Sequence, residues 1–181
     1  MKDKYTILAK RKGLRARSVF KLFQINKKYK LIKKGDDVLD LGCWPGGWLK
    51  AAKQISKTGK IVGVDLKKIK PIEGVDFIQG DINEIKVQGK FDVVLSDMAP
   101  KTSGIVGLDV ERSLDLANIA LEKAAEHLKK NGNFIVKVFQ GKDFAVYLNK
   151  VKKQFKFAKT TKPLTSRKRS KEVYVIGVKK V

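Results

Sequence analysis

From residue 36 onward, short apolar runs closed by an acid alternate with longer segments whose apolar residues recur every three to four positions. GDDVLDLG reads as a buried strand ending at Asp40, TGKIVGVDL as a second ending at Asp65, VDFIQGD as a third ending near Asp81, and KFDVVLSD as a fourth ending at Asp97. GWLKAAKQIS fits a helix between the first two. VERSLDLANIALEKAAEHLKKNG predicts a long helix closed by Gly132, with the strand NFIVKVF directly after it. GKDFAVYLNKVKKQF then predicts a helix, KFAKTT a short strand and EVYVIGVKK a final one. Upstream, RSVFKLFQINKKYK turns Val19, Phe20, Leu22, Phe23 and Ile25 toward one side, predicting an amphipathic helix with Ser18 as a cap and a basic outer face. Strands alternating with helices predict an α/β fold with a mostly parallel sheet and right-handed connections.

Composition bounds that picture. The 181 residues are 43% hydrophobic and 33% charged. A chain of this size buries roughly 70% of its extended surface, so one domain spanning 1–181 is expected. The single cysteine, Cys43, cannot close an internal disulfide or build a zinc finger, and no apolar run approaches a membrane span. A cytoplasmic protein with no membrane partner is the simple expectation.

Charge is uneven. Residues 1–34 hold 13 Lys/Arg and one acid, a balance of +12, and residues 129–181 hold 16 against 2, or +14, while the middle carries 12 against 15. The whole excess of +23 therefore lies at the two ends, in an N-terminal arm and helix and in the last third. Such a distribution suits a polyanion, because each neutralised phosphate releases counterions. A generally lysine-rich solvated surface is the duller explanation.

In an open parallel sheet the ligand crevice lies beyond the carboxyl ends of the strands, where Asp40, Asp65, Asp81 and Asp97 all fall. The turn DLGCWPGGW offers Gly42, Gly46 and Gly47 for close backbone approach, with Pro45 stiffening it. It is neither a dinucleotide nor a Walker fingerprint, and acids repel phosphates. Asp65, 23 residues beyond Gly42, is placed to accept hydrogen bonds from ribose hydroxyls, so an adenosyl cofactor without phosphates is favoured. Trp44 and Trp48 serve equally as core or as pocket wall. FIVKVF interrupts a buried strand with Lys137, and an unpaired buried ammonium is costly. His127, the lone histidine, has no ligand spacing to Cys43, so no metal is expected.

DLGCWPGGW, SDMAPKTSG, VKVFQG and SRKRSKEVYVIG together resemble segments of the FtsJ/RrmJ family of S-adenosylmethionine-dependent RNA ribose 2′-O-methyltransferases, over about residues 13–178. The chain looks most like the compact bacterial-type members that methylate a uridine of large-subunit ribosomal RNA. The resemblance implies a Rossmann-like methyltransferase fold, a mostly parallel seven-stranded sheet flanked by helices. It implies that S-adenosyl-L-methionine is held by the turn from Gly42 through Cys43, Pro45, Gly46 and Gly47 to Trp48, with Asp40, Asp65, Asp81 and Asp97 around it. It also implies a Lys-Asp-Lys-Glu tetrad, falling on Lys21, Asp97, Lys137 and Glu172. Phe23-Gln24 and Lys101 depart from an acidic pair and an asparagine common in the family.

A ribose hydroxyl is a poor nucleophile while protonated, so the implied site has to take its proton or support charge on its oxygen. A lysine near pKa 10.4 is neutral in only about 0.04% of molecules at pH 7. Lys137 is accordingly the candidate base or oxyanion stabiliser, oriented by Asp97, while Lys21 holds the oxygen and adjoining phosphate and Glu172 fixes a lysine or the ribose. Arg11, Lys12, Arg15 and Arg17, with Arg167, Lys168 and Arg169, are the expected phosphate contacts, which position RNA but read little sequence. The expected partner is ribosomal RNA, within the large subunit, and the expected state a monomer. Transfer RNA as substrate and a non-enzymatic RNA-binding or ribosome-assembly role stay open.

Overall fold

The central strands are near-continuous buried runs, so both faces of the sheet need cover, and helices from both sides supply it. The computed structural model describes residues 7–8, 11, 18–167 and 170–181. In chain order these form α1 (Val19–Tyr29), β1 (Val38–Leu41), α2 (Gly47–Ser56), β2 (Ile61–Asp65), β3 (Asp76–Gln79), β4 (Phe91–Ser96), α3 (Val106–His127), β5 (Leu128–Phe139), α4 (Phe144–Gln154), β6 (Phe155–Thr161) and β7 (Glu172–Lys180). The seven strands make one sheet in the order β3-β2-β1-β4-β5-β7-β6. β1 to β5 run parallel, and β7 lies antiparallel between β5 and β6. Chain order reverses between β1 and β4, which opens a crevice at their carboxyl ends.

Val38, Val93, Leu95, Ile135, Tyr174 and Ile176 face α1 and α2 in one buried cluster. Leu39, Val94, Val136, Val138 and Val175 face α3 and α4 in the other. Among the described residues no helix is long and apolar enough to cross a membrane.

Three local expectations are corrected. Ser18 makes no side-chain cap; its backbone carbonyl instead accepts from the N–H groups of Lys21 and Leu22 and from the Trp48 indole at 2.9 Å, tying α1 to α2. The long helix starts at Val106 and stops at His127 rather than at Gly132. Leu128 is already extended, and β5 runs through Lys129 to Asn133 with a register shift opposite Phe91 and Val93 and a left-handed Asn131. Gly132 is buried in that irregularity, where a Cβ would stand 2.9 Å from the Lys129 carbonyl and 3.0 Å from that of Asp92. The third local difference is a matter of one or two residues: β1 continues to Leu41, and β3 stops at Gln79, two residues short of Asp81.

Candidate active site

The turn after β1 folds back on its neighbour, with the N–H groups of Gly42 and Cys43 both donating to the Val64 carbonyl. Asp65, ending β2, accepts from the N–H of Trp44 and of Lys67, each at 2.8 Å, and so pins the turn. Gly42 has φ +70°, and a Cβ there would overlap the Met98 side chain at 2.1 Å. The Trp44–Pro45 peptide is cis.

These pieces wall a cavity of about 530 Å³, within the range of about 300–1,000 Å³ usual for small-ligand pockets. Asp65, Asp81 and Asp97 line it with Gly42, while Trp44, Leu116 and Ile119 give it apolar surface. Trp44 is 53% exposed and carries the Lys67 ammonium over its ring at 4.7 Å. Three carboxylates against one lysine favour a cationic ligand or one rich in hydroxyls over a phosphate.

The other residues of the turn stand elsewhere. Cys43, Gly46, Gly47 and Trp48 are buried rather than part of the cavity wall, as is Asp40, and Pro45 is half-buried. Trp48 belongs to the core and stacks on Tyr174 with ring centroids 5.7 Å apart. Burial, with Asp40 and Asp65 nearby, pushes the Cys43 thiol upward and leaves it protonated and inert.

The four separated charges meet on the α1 side of the sheet, at the carboxyl ends of β4 and β5 and the start of β7. Leu95 of β4 pairs with Ile135 of β5, so continuing the register two residues brings Asp97 beside Lys137. The Lys137 ammonium lies 2.6 Å from the Asp97 carbonyl and 3.2 Å from its carboxylate, and the residue is 8% exposed. Lys21 of α1 reaches Glu172 at 2.5 Å, across 151 positions of sequence, and Ser166 donates to the same carboxylate oxygen at 3.1 Å. Tyr174 joins the two pairs. Its hydroxyl donates to Asp97 at 2.8 Å, and the Lys21 ammonium lies 5.6 Å from its ring centroid. Asp97 thus belongs both to the charge cluster and to the cavity.

Sequence reasoning missed Tyr174. The available signal was period two: Glu172 and Tyr174 share a face of β7, and Tyr174 is the register partner of Lys137. Of the expected phosphate contacts, Arg11 and Arg167 are exposed. Lys12, Arg15, Arg17, Lys168 and Arg169 lie outside the described residues.

Residues 14–180 match the FtsJ-like methyltransferase family. The chain belongs to that family. It is 49% identical to the ribosomal RNA large subunit methyltransferase E of Methanocella arvoryzae, over 97% of this chain and 72% of that protein. It is 51% identical to the protein of the same name from Methanosarcina mazei, over 98% of this chain and 69% of the relative. A crystal structure of a putative ribosomal RNA methyltransferase from Plasmodium falciparum superposes with a TM-score of 0.82 at 28% identity, covering 92% of this chain and 98% of that one. The Rossmann-like methyltransferase fold is therefore the fold of this enzyme. An FtsJ-like methyltransferase uses a methyl donor of the S-adenosylmethionine type, and the acid-lined, phosphate-averse cavity fits one.

Proposed function

We propose that this methyltransferase uses S-adenosylmethionine to methylate a ribose 2′-oxygen of large-subunit ribosomal RNA, at a uridine. It would do so in the cytoplasm, as one domain spanning 1–181 with residues 1–34 as a basic arm and helix. The observation that carries the reading is the meeting of two lysine–carboxylate pairs on Tyr174, with Asp97 shared by the cavity. The relatives' names supply the ribosomal substrate.

The donor supplies an electrophilic methyl on a cationic sulfur. Asp65 and Asp81 would hold its ribose and base side, and Gly42 keeps that wall free of side chain. The protein then has to aim the 2′-oxygen at the methyl carbon and support its charge as the proton passes to solvent water, the O–CH₃ bond forms and the S–CH₃ bond breaks. Lys137 is assigned the charge-supporting role, because its ammonium already has a carboxylate and a carbonyl fixing its direction. Asp97 orients Lys137. Lys21, held by Glu172, would bind the 2′-oxygen or its adjoining phosphate. Only RNA offers this acceptor.

The test is methyl incorporation from labelled S-adenosylmethionine into undermodified large ribosomal subunits, followed by mapping of the methylated nucleotide. Lys137→Ala is expected to lose about 10²–10³-fold in rate while still binding donor. Since stranding one member of a buried pair costs about 3–5 kcal/mol, donor binding also reports whether the variant is folded. Equal incorporation by both proteins refutes the assignment. Labelling confined to free transfer RNA would replace the substrate, and RNA binding without any transfer would leave only the assembly role.

A further inference from the structure

Beyond the carboxyl end of β5, on the side away from the donor cavity, two depressions of about 320 and 180 Å³ share Val106, Val110, Phe139 and Lys171 in their walls. None of these four residues has a part in the mechanism above. Phe139 is only partly exposed and belongs to neither core cluster of the described residues; its neighbours in the two walls are Val106, Val110 and Lys171. Phe144 and Leu114 complete the apolar wall, and Gly141 keeps the β5–α4 turn tight against α3, since a Cβ there would stand 2.4 Å from Val110. Val106 is 57% exposed at the mouth, beside Ile105 at 64%. The rim is charged: Lys142 and Lys171 are exposed, and Glu111 and Asp143 offer acceptors between them.

The position ties this groove to the reaction. Phe139 follows Lys137 by two residues, about 7 Å along a strand, and is the register partner of Glu172. Lys171 directly precedes Glu172, and its carbonyl is held at 3.0 Å by the Gln140 N–H. Any strand of RNA that presents a ribose to Lys21 and Lys137 has its next nucleotide within reach of this groove. Aromatic and aliphatic walls bounded by cations and carboxylates match an unstacked base: its face packs on the ring, its edge meets the acceptors and its flanking phosphates meet the lysines. The geometry points to this groove as a subsite for one nucleobase of the substrate strand, adjacent to the nucleotide that is methylated. The inference rests on the RNA methyltransferase reading and adds where the enzyme holds the RNA beyond the reacting ribose.

Two variants test it with undermodified large ribosomal subunits and labelled S-adenosylmethionine. Phe139→Ala removes the ring, and Val106→Trp fills the mouth from an exposed position that leaves the core untouched. Each is expected to raise KM for the subunits about tenfold or more, with donor affinity unchanged and kcat altered far less. Unchanged KM in both variants overturns the subsite. A loss confined to Phe139→Ala and accompanied by weakened donor binding marks a packing defect and overturns it too. Should the wild-type protein methylate no ribosomal RNA, the activity reading falls on its own. Titration of the same subunits for binding then decides the subsite: about tenfold weaker binding by both variants keeps it, and equal binding removes it.

Discussion

Asp40 is the least comfortable residue in the core. It is 1% exposed, and neither carboxylate oxygen has a hydrogen-bond partner among the described residues. Burial, and then the negative charges of Asp97 and Asp65, raise its pKa well above the usual carboxylate value. A group with a raised folded-state pKa favours the fold fully at low pH and withdraws that support as pH climbs from about 4 toward its folded value. Asp40→Asn keeps the shape without the charge. In the donor-free protein this variant is expected to melt at the same temperature as wild type near pH 4 and at a higher one at pH 8. Thermal unfolding across that range checks it, and a wild-type melting temperature at pH 8 as high as that of the variant would show that Asp40 carries no such penalty. Tyr174 is the contrasting case, a buried side chain whose polar atom is satisfied by Asp97 and whose ring is packed by Trp48.

Among the elements, the β1–α2 turn is the one whose backbone the site depends on. Placing an L-residue at the left-handed Gly42 costs roughly 1–2 kcal/mol, and its methyl would drive Met98 from its place at the cavity wall. Gly42→Ala is expected to lower the melting temperature by roughly 2–8 °C and to weaken donor binding about tenfold, measured by calorimetry. This turn was legible beforehand because glycine, proline and a terminal acid are local signals, and so were the strands ending near Asp65 and Asp97. The end of α3 was not. LKKNG reads as a helix stop, but pairing of Leu128 with Phe91 draws those residues into β5, and no local signal encodes that partner. Ser18 misled for a similar reason, since its carbonyl is taken up by a tryptophan thirty residues away. The meeting of the four charges followed from family resemblance; Tyr174, which joins them, needed the β5–β7 register.

For the whole molecule the decisive quantity is the excess of +23. RNA affinity is expected to fall linearly on a logarithmic plot against salt, while donor affinity, set inside the cavity, barely responds. Arg167→Ala, at an exposed position next in sequence to Ser166, which donates to Glu172, is expected to weaken RNA binding uniformly and to reduce the salt slope by about 1. Filter binding between low and physiological salt measures both, and an unchanged slope would remove Arg167 from the contact surface.

The reversed β7 bears on when the enzyme becomes competent. Chains are synthesised from the amino end, and domains fold as units once their parts are available. Glu172 and Tyr174 arrive after every other strand has been made, and the strand carrying them has to enter between β5 and β6 rather than add at an open edge. Lys21 is therefore made 151 positions ahead of its partner Glu172, and the Lys137–Asp97 pair ahead of the Tyr174 hydroxyl that caps it, so the chain stays unable to react until β7 has been inserted.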